Sequence, residues 1–359
     1  MEMNENTYYN RQLKLNEIGE AGQLKLKNAS VLVIGAGGLG TSALTSLVLS
    51  GVGHVGICDF DRVEESNLHR QELFSFNDIG LLKVEAAKKR LLAQNPSVKI
   101  TLHSNGLTYT EALKTISKYD LVLDCTDQIG LRYLINDVCL MQGKPWVSAA
   151  IHGFKGQLAT FNYKSSGTYR CLFPNKPQET VTDCNENGVL SPTPSILGHW
   201  QALEAIKIII DTSINYENTE LNILNIIDLT NISIQKIKFE RDKIATKKRI
   251  LTGLDSEQFY GITCKTESEV SWNELNSNQT LIDVRELNEE KFNPKSFQII
   301  RIPLSELEKS QSKLSEIESY IFFCQSGVRS LKALEITKNK LNKTHVKHIT
   351  GGINAYPIH

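Results

Sequence analysis

Neither sign of charge prevails in this sequence: 40 lysines and arginines stand against 40 aspartates and glutamates in 359 residues. A balanced chain has no broad attraction to nucleic acid or to an anionic membrane surface, so neither is expected as a partner. Long apolar runs are also missing. None approaches the roughly 20 residues that span a bilayer, and the longest candidates are broken by Gly51, Gly53 and Asp59. Met1 to Asn10 is polar, without the apolar core of a signal peptide. A disulfide framework is lacking too. The 7 cysteines (Cys58, Cys125, Cys139, Cys171, Cys184, Cys264 and Cys324) are scattered and odd in number, which fits the reduced thiols of a cytoplasm. There is no internal repeat and no low-complexity tract.

At this length two domains are expected. From Ala29 to about Ala150 short apolar strands alternate with helical stretches: Val31–Ile34, His54–Asp59, Val98–His103, Leu121–Asp124 and Pro145–Ala149 are the strands. That alternation predicts a mainly parallel, Rossmann-like α/β sheet. Gly156–Tyr163, Leu221–Leu229 and Ser233–Phe239 predict an antiparallel extension, and Leu197–Ile210 a helix. Between them, Ser165–Ser195 is rich in Pro, Asn, Ser and Gly, a long loop of the kind that is usually functional or disordered. The charged, weakly patterned stretch Arg241–Tyr260 reads as a linker. A smaller α/β unit follows, with strands at Thr280–Asp283, Ile299–Arg301, Tyr320–Phe323 and Val346–Ile349. The expected boundaries are 1–245 for the first domain, 246–262 for the linker and 263–359 for the second domain.

Two loops carry the chemistry. Val31–Ile34 runs into Gly35-Ala36-Gly37-Gly38-Leu39-Gly40, whose glycines let backbone N–H groups approach phosphate ahead of a helix N-terminus. NAD enzymes and flavoproteins share that signal, and Asp59 at the end of the second strand would suit a ribose in any of them. The charges beyond separate the readings. Asp61, Ser66, Asn67 and Arg70 follow the second strand, Lys83 lies in the first turn of a helix, and an acid ends the Leu121–Asp127 segment where it could hold Mg²⁺. Each alone reads as a solvated loop residue. As an ordered series they supply cations for a triphosphate and a departing pyrophosphate, which hydride transfer does not require.

Tyr9-Asn10-Arg11-Gln12, the glycine loop, Asp59-Phe60-Asp61, Ser66-Asn67-Leu68-His69-Arg70-Gln71, Gly80-Leu81-Leu82-Lys83 and Asp124-Cys125-Thr126-Asp127 resemble the MoeB/ThiF family of ubiquitin-activating-like adenylyltransferases. The likeness covers roughly residues 7 to 240. It implies that the C-terminal Gly-Gly carboxylate of a ubiquitin-like sulfur carrier (ThiS/MoaD type) attacks the α-phosphate of ATP. It implies ATP contacts by Gly35, Gly37, Gly38, Gly40, Asp59, Asp61, Ser66, Asn67, Arg70, Lys83, Asp127 and Gln128, with Mg²⁺ held through ATP by Asp127. Arg11 would reach a partner subunit's phosphates, so a homodimer is implied. Gln128 stands where the family usually has asparagine. The family also commonly carries two Cys-x-x-Cys pairs on a structural zinc. Here Cys171 is followed by Pro174 where a second thiolate belongs, and Glu240–Arg249 holds no cysteine, so no zinc is expected. What a metal would contribute falls to packing of the long loop and the strand near Leu229.

At the other end, Tyr320–Phe323 runs into Cys324-Gln325-Ser326-Gly327-Val328-Arg329-Ser330. Backbone N–H groups of such a loop can face the sulfur and Arg329 can add positive charge, both favouring a thiolate or persulfide. With Leu281-Ile282-Asp283-Val284-Arg285-Glu286 upstream and Gly351-Gly352-Ile353-Asn354-Ala355-Tyr356 downstream, this loop resembles a rhodanese domain over roughly 263 to 359. The resemblance implies Cys324 as carrier of persulfide sulfur, loaded by a cysteine desulfurase or thiosulfate. The loop segment before Ile302-Pro303-Leu304 departs from the family's pattern. Cys184 is a second candidate, since the first family places there a cysteine able to link to the activated carrier, although Asp183 and Glu186 beside it would blunt a thiol. The expected function is adenylation of the carrier followed by sulfur transfer to give a thiocarboxylate, for thiamine, molybdopterin or tRNA thiolation. Two other readings stand: an NAD-dependent oxidoreductase with a fused sulfur-carrying module, and a non-catalytic scaffold that binds a ubiquitin-like protein.

Overall fold

The computed structural model describes residues 4–176, 188–210, 221–260, 269–276, 279–292, 294, 297–310, 314, 317, 319–325, 327–341, 346–349 and 351–356. The chain divides into two compact units, Met1–Cys264 and Lys265–His359.

The first unit is built on an eight-stranded sheet of order β3-β2-β1-β4-β5-β6-β7-β8. β1 (Ser30–Ile34), β2 (His54–Cys58), β3 (Lys99–His103), β4 (Leu121–Asp124) and β5 (Trp146–His152) run parallel. β6 (Lys155–Phe161), β7 (Ile223–Asp228) and β8 (Ser233–Lys238) extend it antiparallel. This is the expected fold class. The apolar runs make it so: successive side chains leave a strand on opposite faces, so Val31 and Val33 enter one core while Leu32 and Ile34 enter the other. Cys58, Cys125 and Cys139 are buried, as their apolar settings suggest. Among the described residues no helix is long and apolar enough to cross a membrane.

Helix Pro192–Ile210 starts earlier than the expected Leu197, with a proline in its first turn, where the missing N–H costs nothing. Gly198 within it lets two helices meet at backbone distance, since a Cβ there would lie 2.3 Å from Leu39 O.

The stretch expected as a linker folds onto the first unit. Helices Lys243–Thr252 and Glu257–Tyr260 fill most of it, and Tyr260 is fully buried, its hydroxyl donating to Asp137 Oδ2 at 2.8 Å. Asp137 is the centre of a charged knot. Arg170 reaches both its oxygens, Nε to Oδ1 at 2.7 Å and Nη2 to Oδ2 at 2.6 Å, and extends to Asp255 at 2.9 Å. Arg249 binds Asp255 at 2.8 Å and approaches Asp137 at 3.8 Å. The Arg170 guanidinium also lies over the rings of Tyr133 and Phe259, 4.9 and 5.1 Å from their centroids. Next to it, Cys171 Sγ accepts the Asp242 N–H at 3.4 Å. The segments around Cys171 and Glu240–Arg249 therefore do meet, tied by ion pairs and aromatic faces rather than near Leu229. Among the described residues, one thiol, Cys171, lies at this place, beside two guanidiniums and their carboxylates.

Removing Asp137 takes the bidentate partner from Arg170 and the acceptor from the Tyr260 hydroxyl, and leaves Asp255 as the one carboxylate between Arg170 and Arg249. Asp137→Ala is expected to destabilise the first unit by about 3–5 kcal/mol, lowering its melting temperature by roughly 10 °C for a unit of this size. Scanning calorimetry checks it, and a shift under about 3 °C would show that the knot is dispensable.

The second unit is a five-stranded parallel sheet of order β11-β10-β12-β13-β9. β10 (Thr280–Asp283), β11 (Gln298–Arg301), β12 (Tyr320–Phe323) and β13 (Val346–Ile349) fall where the sequence places them. β9 (Glu269–Val270) is an added edge too short to show periodicity. Trp272 closes this end, its indole N–H donating to Gly352 O at 2.7 Å.

Candidate functional site

The nucleotide-binding candidates gather at the carboxyl ends of β1, β2 and β4. There the sheet order reverses between β1 and β4, the place where open α/β sheets bind ligands. Gly35 has φ +93°, a left-handed conformation, and a Cβ on it would lie 2.7 Å from Cys125 O. A Cβ on Gly40 would lie 1.9 Å from Gly35 O, and one on Gly38 would lie 2.9 Å from Pro194 Cβ. The loop thus folds tightly on itself and delivers Gly37 as the N-cap of helix Gly38–Leu49. That leaves a helix N-terminus suited to an anion behind the loop.

Asp59 braces this loop, its Oδ2 accepting the Ala36 N–H at 2.6 Å and its Oδ1 the Asp61 N–H at 2.8 Å. Burial pushes its carboxyl pKa up, and Lys83 pulls it back. The Lys83 ammonium is buried and stands 3.0 Å from Asp61. The segment 62–63 pairs with 80–82, through an Arg62–Leu82 bridge and the Gly80 N–H to Val63 O bond of 2.9 Å. That pairing carries Lys83 beside the β2 end, although 22 residues separate it from Asp61.

Arg70 Nη1 rests on Ser66 O and His69 Nε2, both at 2.8 Å, and its backbone O faces Gly38. Asn67 is buried and its Oδ1 accepts the Glu64 N–H at 3.2 Å, while Ser66 is exposed. The two acids at the end of β4 separate by burial. Asp124 is fully enclosed and spent on Arg132 (2.7 Å), Ser148 (2.8 Å) and Thr126 (2.7 Å). Asp127 is exposed, and Gln128 stands at the N-cap position of helix Ile129–Met141 without a side-chain bond to it. Arg11 is exposed on helix Asn10–Leu13, which Gln12 anchors to Ser50 O at 2.9 Å.

In the second unit Cys324 is 1% exposed and its sulfur sits inside its own loop. It accepts the Gly327 N–H at 3.1 Å and the Ser330 N–H at 3.4 Å, with Ser330 Oγ at 3.7 Å. Gly327 (φ +90°) and Gly352 (φ +57°) allow the closure, since a Cβ on Gly352 would lie 2.2 Å from Cys324 O. Those donors stabilise an anion on sulfur. The charge of Arg329 bears on Cys324 and is shared with a second group. Its guanidinium is engaged by Glu289 in a bidentate pair, Nη2 to Oε2 at 2.9 Å with Nη1 on Oε1. The hydrogen bond from Arg329 brings the Glu289 carboxyl down to about 2. Gln325 faces Asn354, its Nε2 donating to Oδ1 at 2.7 Å. Cys184 and Ser326 lie outside the described residues.

Three further side chains stand at these sites, Gln71 from the Ser66–Gln71 motif but given no role there, and Gln201 and Glu289 outside any motif. Gln71 is buried, its Nε2 3.9 Å from where a Gly37 Cβ would stand. Gln201 ties β4 to β5, donating to Asp124 O at 2.7 Å and Val147 O at 2.9 Å. A glutamine four residues from both Leu197 and Ala205, on the buried face of an apolar helix, is the signal that could have found it. Glu289 is the third, and nothing in its local sequence marks it.

The sequence pattern of the ThiF family matches residues 9–247. A Drosophila persimilis protein named adenylyltransferase and sulfurtransferase MOCS3 is 35% identical over an alignment of 377 residues, covering 97% of this chain and 82% of that protein. The protein of the same name from Culex quinquefasciatus is 49% identical over 208 residues, 58% of this chain and 48% of that one, so this match spans about half of that relative. Among solved structures, E. coli MccB with ATP aligns at 25% identity and a TM-score of 0.56, over 67% of this chain and 73% of that chain. E. coli MccB with MccA-N7isoASN, at 24% identity and a TM-score of 0.59 over 66% of this chain and 73% of that one, shares the fold. The chain belongs to the ThiF family, and the adenylyltransferase with a fused sulfurtransferase read from its motifs is the enzyme that these MOCS3 relatives are named for.

Proposed function

We propose that the first unit uses Mg-ATP to adenylate the C-terminal glycine of a ubiquitin-like sulfur carrier, and that Cys324 of the second unit supplies the sulfur. The observation that carries this reading is the convergence at the β1, β2 and β4 ends. A glycine loop without side chains, the buried ammonium of Lys83, Arg70 and an exposed acid, Asp127, meet there. Carboxylate is a poor electrophile, and it becomes a good one by attacking the α-phosphate, expelling pyrophosphate and gaining AMP as leaving group. Lys83 and Arg70 would neutralise the charge that develops on the phosphates. Asp127 would hold Mg²⁺ through the nucleotide. Arg11 would complete the site of a second subunit in a homodimer. A hydride-transfer enzyme has no use for these cations, and a scaffold has none for an ordered phosphate cradle.

The second step needs persulfide on Cys324. Its outer sulfur attacks the acyl-adenylate, forming an acyl disulfide and releasing AMP. A thiolate then attacks Cys324 Sγ, freeing the carrier thiocarboxylate and forming a disulfide that an external thiol must reduce. Cys184 is the candidate for that thiolate. The carrier would feed thiamine, molybdopterin or tRNA thiolation in a cytoplasm. We assign the domains as 1–245, a connecting stretch 246–262 that docks on the first unit up to Tyr260, and 263–359.

Carrier-dependent exchange of labelled pyrophosphate into ATP tests the first step. Exchange is expected with one ubiquitin-like carrier ending in Gly-Gly and not with the same carrier lacking its last glycine. Tight binding of carriers without exchange for any of them would leave only a scaffold.

A further inference from the structure

We infer that Glu289 sets which sulfur donors the Cys324 loop accepts, by occupying Arg329 and so withholding it from small oxyanionic donors. The inference rests on Cys324 being the sulfur carrier and concerns what loads it.

The loop's own arginine is the natural receptor for a sulfonate, because a guanidinium presents a planar fork of donors that matches an oxyanion. Here that fork is filled by the two oxygens of Glu289. Glu289 is itself held in place: its Oε1 accepts the Glu286 N–H at 2.9 Å, and Arg301 donates to its backbone O at 2.8 Å. The remaining charges give no surplus. Arg285 is buried on Asp283, with Nη2 to Oδ2 at 2.8 Å and Nε to Oδ1 at 2.9 Å, and Arg301 lies 4.0 Å from the same carboxylate. Glu286, bound by Ser305 Oγ at 2.9 Å, adds a further negative charge. Arg285, Arg301 and Arg329 are thus balanced by Asp283, Glu286 and Glu289.

A neutral mouth of this kind discriminates by charge. Thiosulfate would transfer its outer sulfur to the Cys324 thiolate, forming the Cys324 S–S bond, breaking the S–S bond of thiosulfate and releasing sulfite. It must bring two negative charges to a loop whose arginine is taken, and displacing Glu289 would strand a carboxylate beside that dianion. A persulfide RSSH makes the equivalent exchange, giving Cys324–S–SH and RS⁻. It carries its charge on the sulfur, and the Gly327 and Ser330 N–H groups already receive charge there. Glu289 is therefore a specificity residue that acts through Arg329 and does not touch the reacting sulfur.

The test compares two donors on the full-length protein, thiosulfate with cyanide as acceptor and glutathione persulfide, in Glu289→Gln and in Glu289→Gln/Arg329→Gln. In Glu289→Gln, kcat/KM for thiosulfate is expected to rise about tenfold, through KM, the effect of gaining roughly 1.4 kcal/mol of binding. Transfer from glutathione persulfide stays within about twofold, as expected for a group that does not contact the sulfur. The double variant loses the gain with thiosulfate. An unchanged or lower thiosulfate rate in Glu289→Gln overturns the inference, and so does parallel loss of both donors, which would make Glu289 a support for the loop's shape. Failure of the underlying assignment looks different: Cys324 of the unmodified protein would gain no sulfur mass from either donor.

Discussion

Cys324→Ala abolishes thiocarboxylate formation and leaves carrier-dependent pyrophosphate exchange at its original rate. The expected loss of sulfur transfer is on the order of 10³-fold or more, because the substitution deletes the atom that carries the sulfur rather than weakening a contact. Exchange survives for a structural reason. The glycine loop, Lys83 and Arg70 belong to the first unit, while Cys324 packs in the second with Ile282, Phe322 and Ala333. The thiol is small and its loop is held by backbone bonds, including Ile353 N–H to Cys324 O at 2.8 Å, which alanine keeps. Exchange and mass spectrometry of the carrier, run on one preparation, separate the two outcomes. Sulfur transfer persisting in Cys324→Ala with thiosulfate supplied would show that another thiol carries the sulfur.

Much of this architecture was legible because apolar runs of four or five residues have few alternatives to buried strands. β1 and β12 hold such runs, and β2, β4 and β10 hold shorter ones closed by polar or small residues. What escaped depends on partners distant in sequence. Arg241–Tyr260 looked like solvated linker, since its charges carry no periodic apolar face. Arg249, Asp255 and Tyr260 are fixed by Asp137 and Arg170, more than 80 residues upstream, with Asp255 and Arg170 separated by 85. Arg329 was expected to serve the sulfur, and its partner Glu289 lies 40 residues away, invisible to local pattern. Asp124 and Asp127 stand on one strand end, and only burial tells the committed acid from the available one. The start of the helix at Pro192 was different: a proline opening a helix is a readable signal, and weighting the apolar run from Leu197 hid it.

Lys83→Ala is expected to lower pyrophosphate exchange by about 10²–10³-fold, the 2.7–4 kcal/mol scale of deleting one preorganised donor at a charge that develops during reaction. The ammonium is buried at the rim of the phosphate cradle, with Asp61 3.0 Å away, and water does not substitute for it there. The fold itself should tolerate the change. Asp61 is 47% exposed on its side chain and can hydrate once unpaired, and the backbone bond from Lys83 N–H to Asp61 O at 2.9 Å remains. Arginine is not a rescue, because the planar guanidinium needs more room than the buried point charge it replaces. The variant also reports on Asp59. Burial raises the Asp59 carboxyl pKa and Lys83 lowers it, so deleting the cation lets burial act unopposed by it. A carboxyl that titrates higher needs a higher pH to ionise, and the acid limb of the residual activity should move upward in pH. Exchange reduced by less than about tenfold, or an acid limb that moved down, would place Lys83 outside the phosphate site and leave Arg70 to hold the pyrophosphate alone.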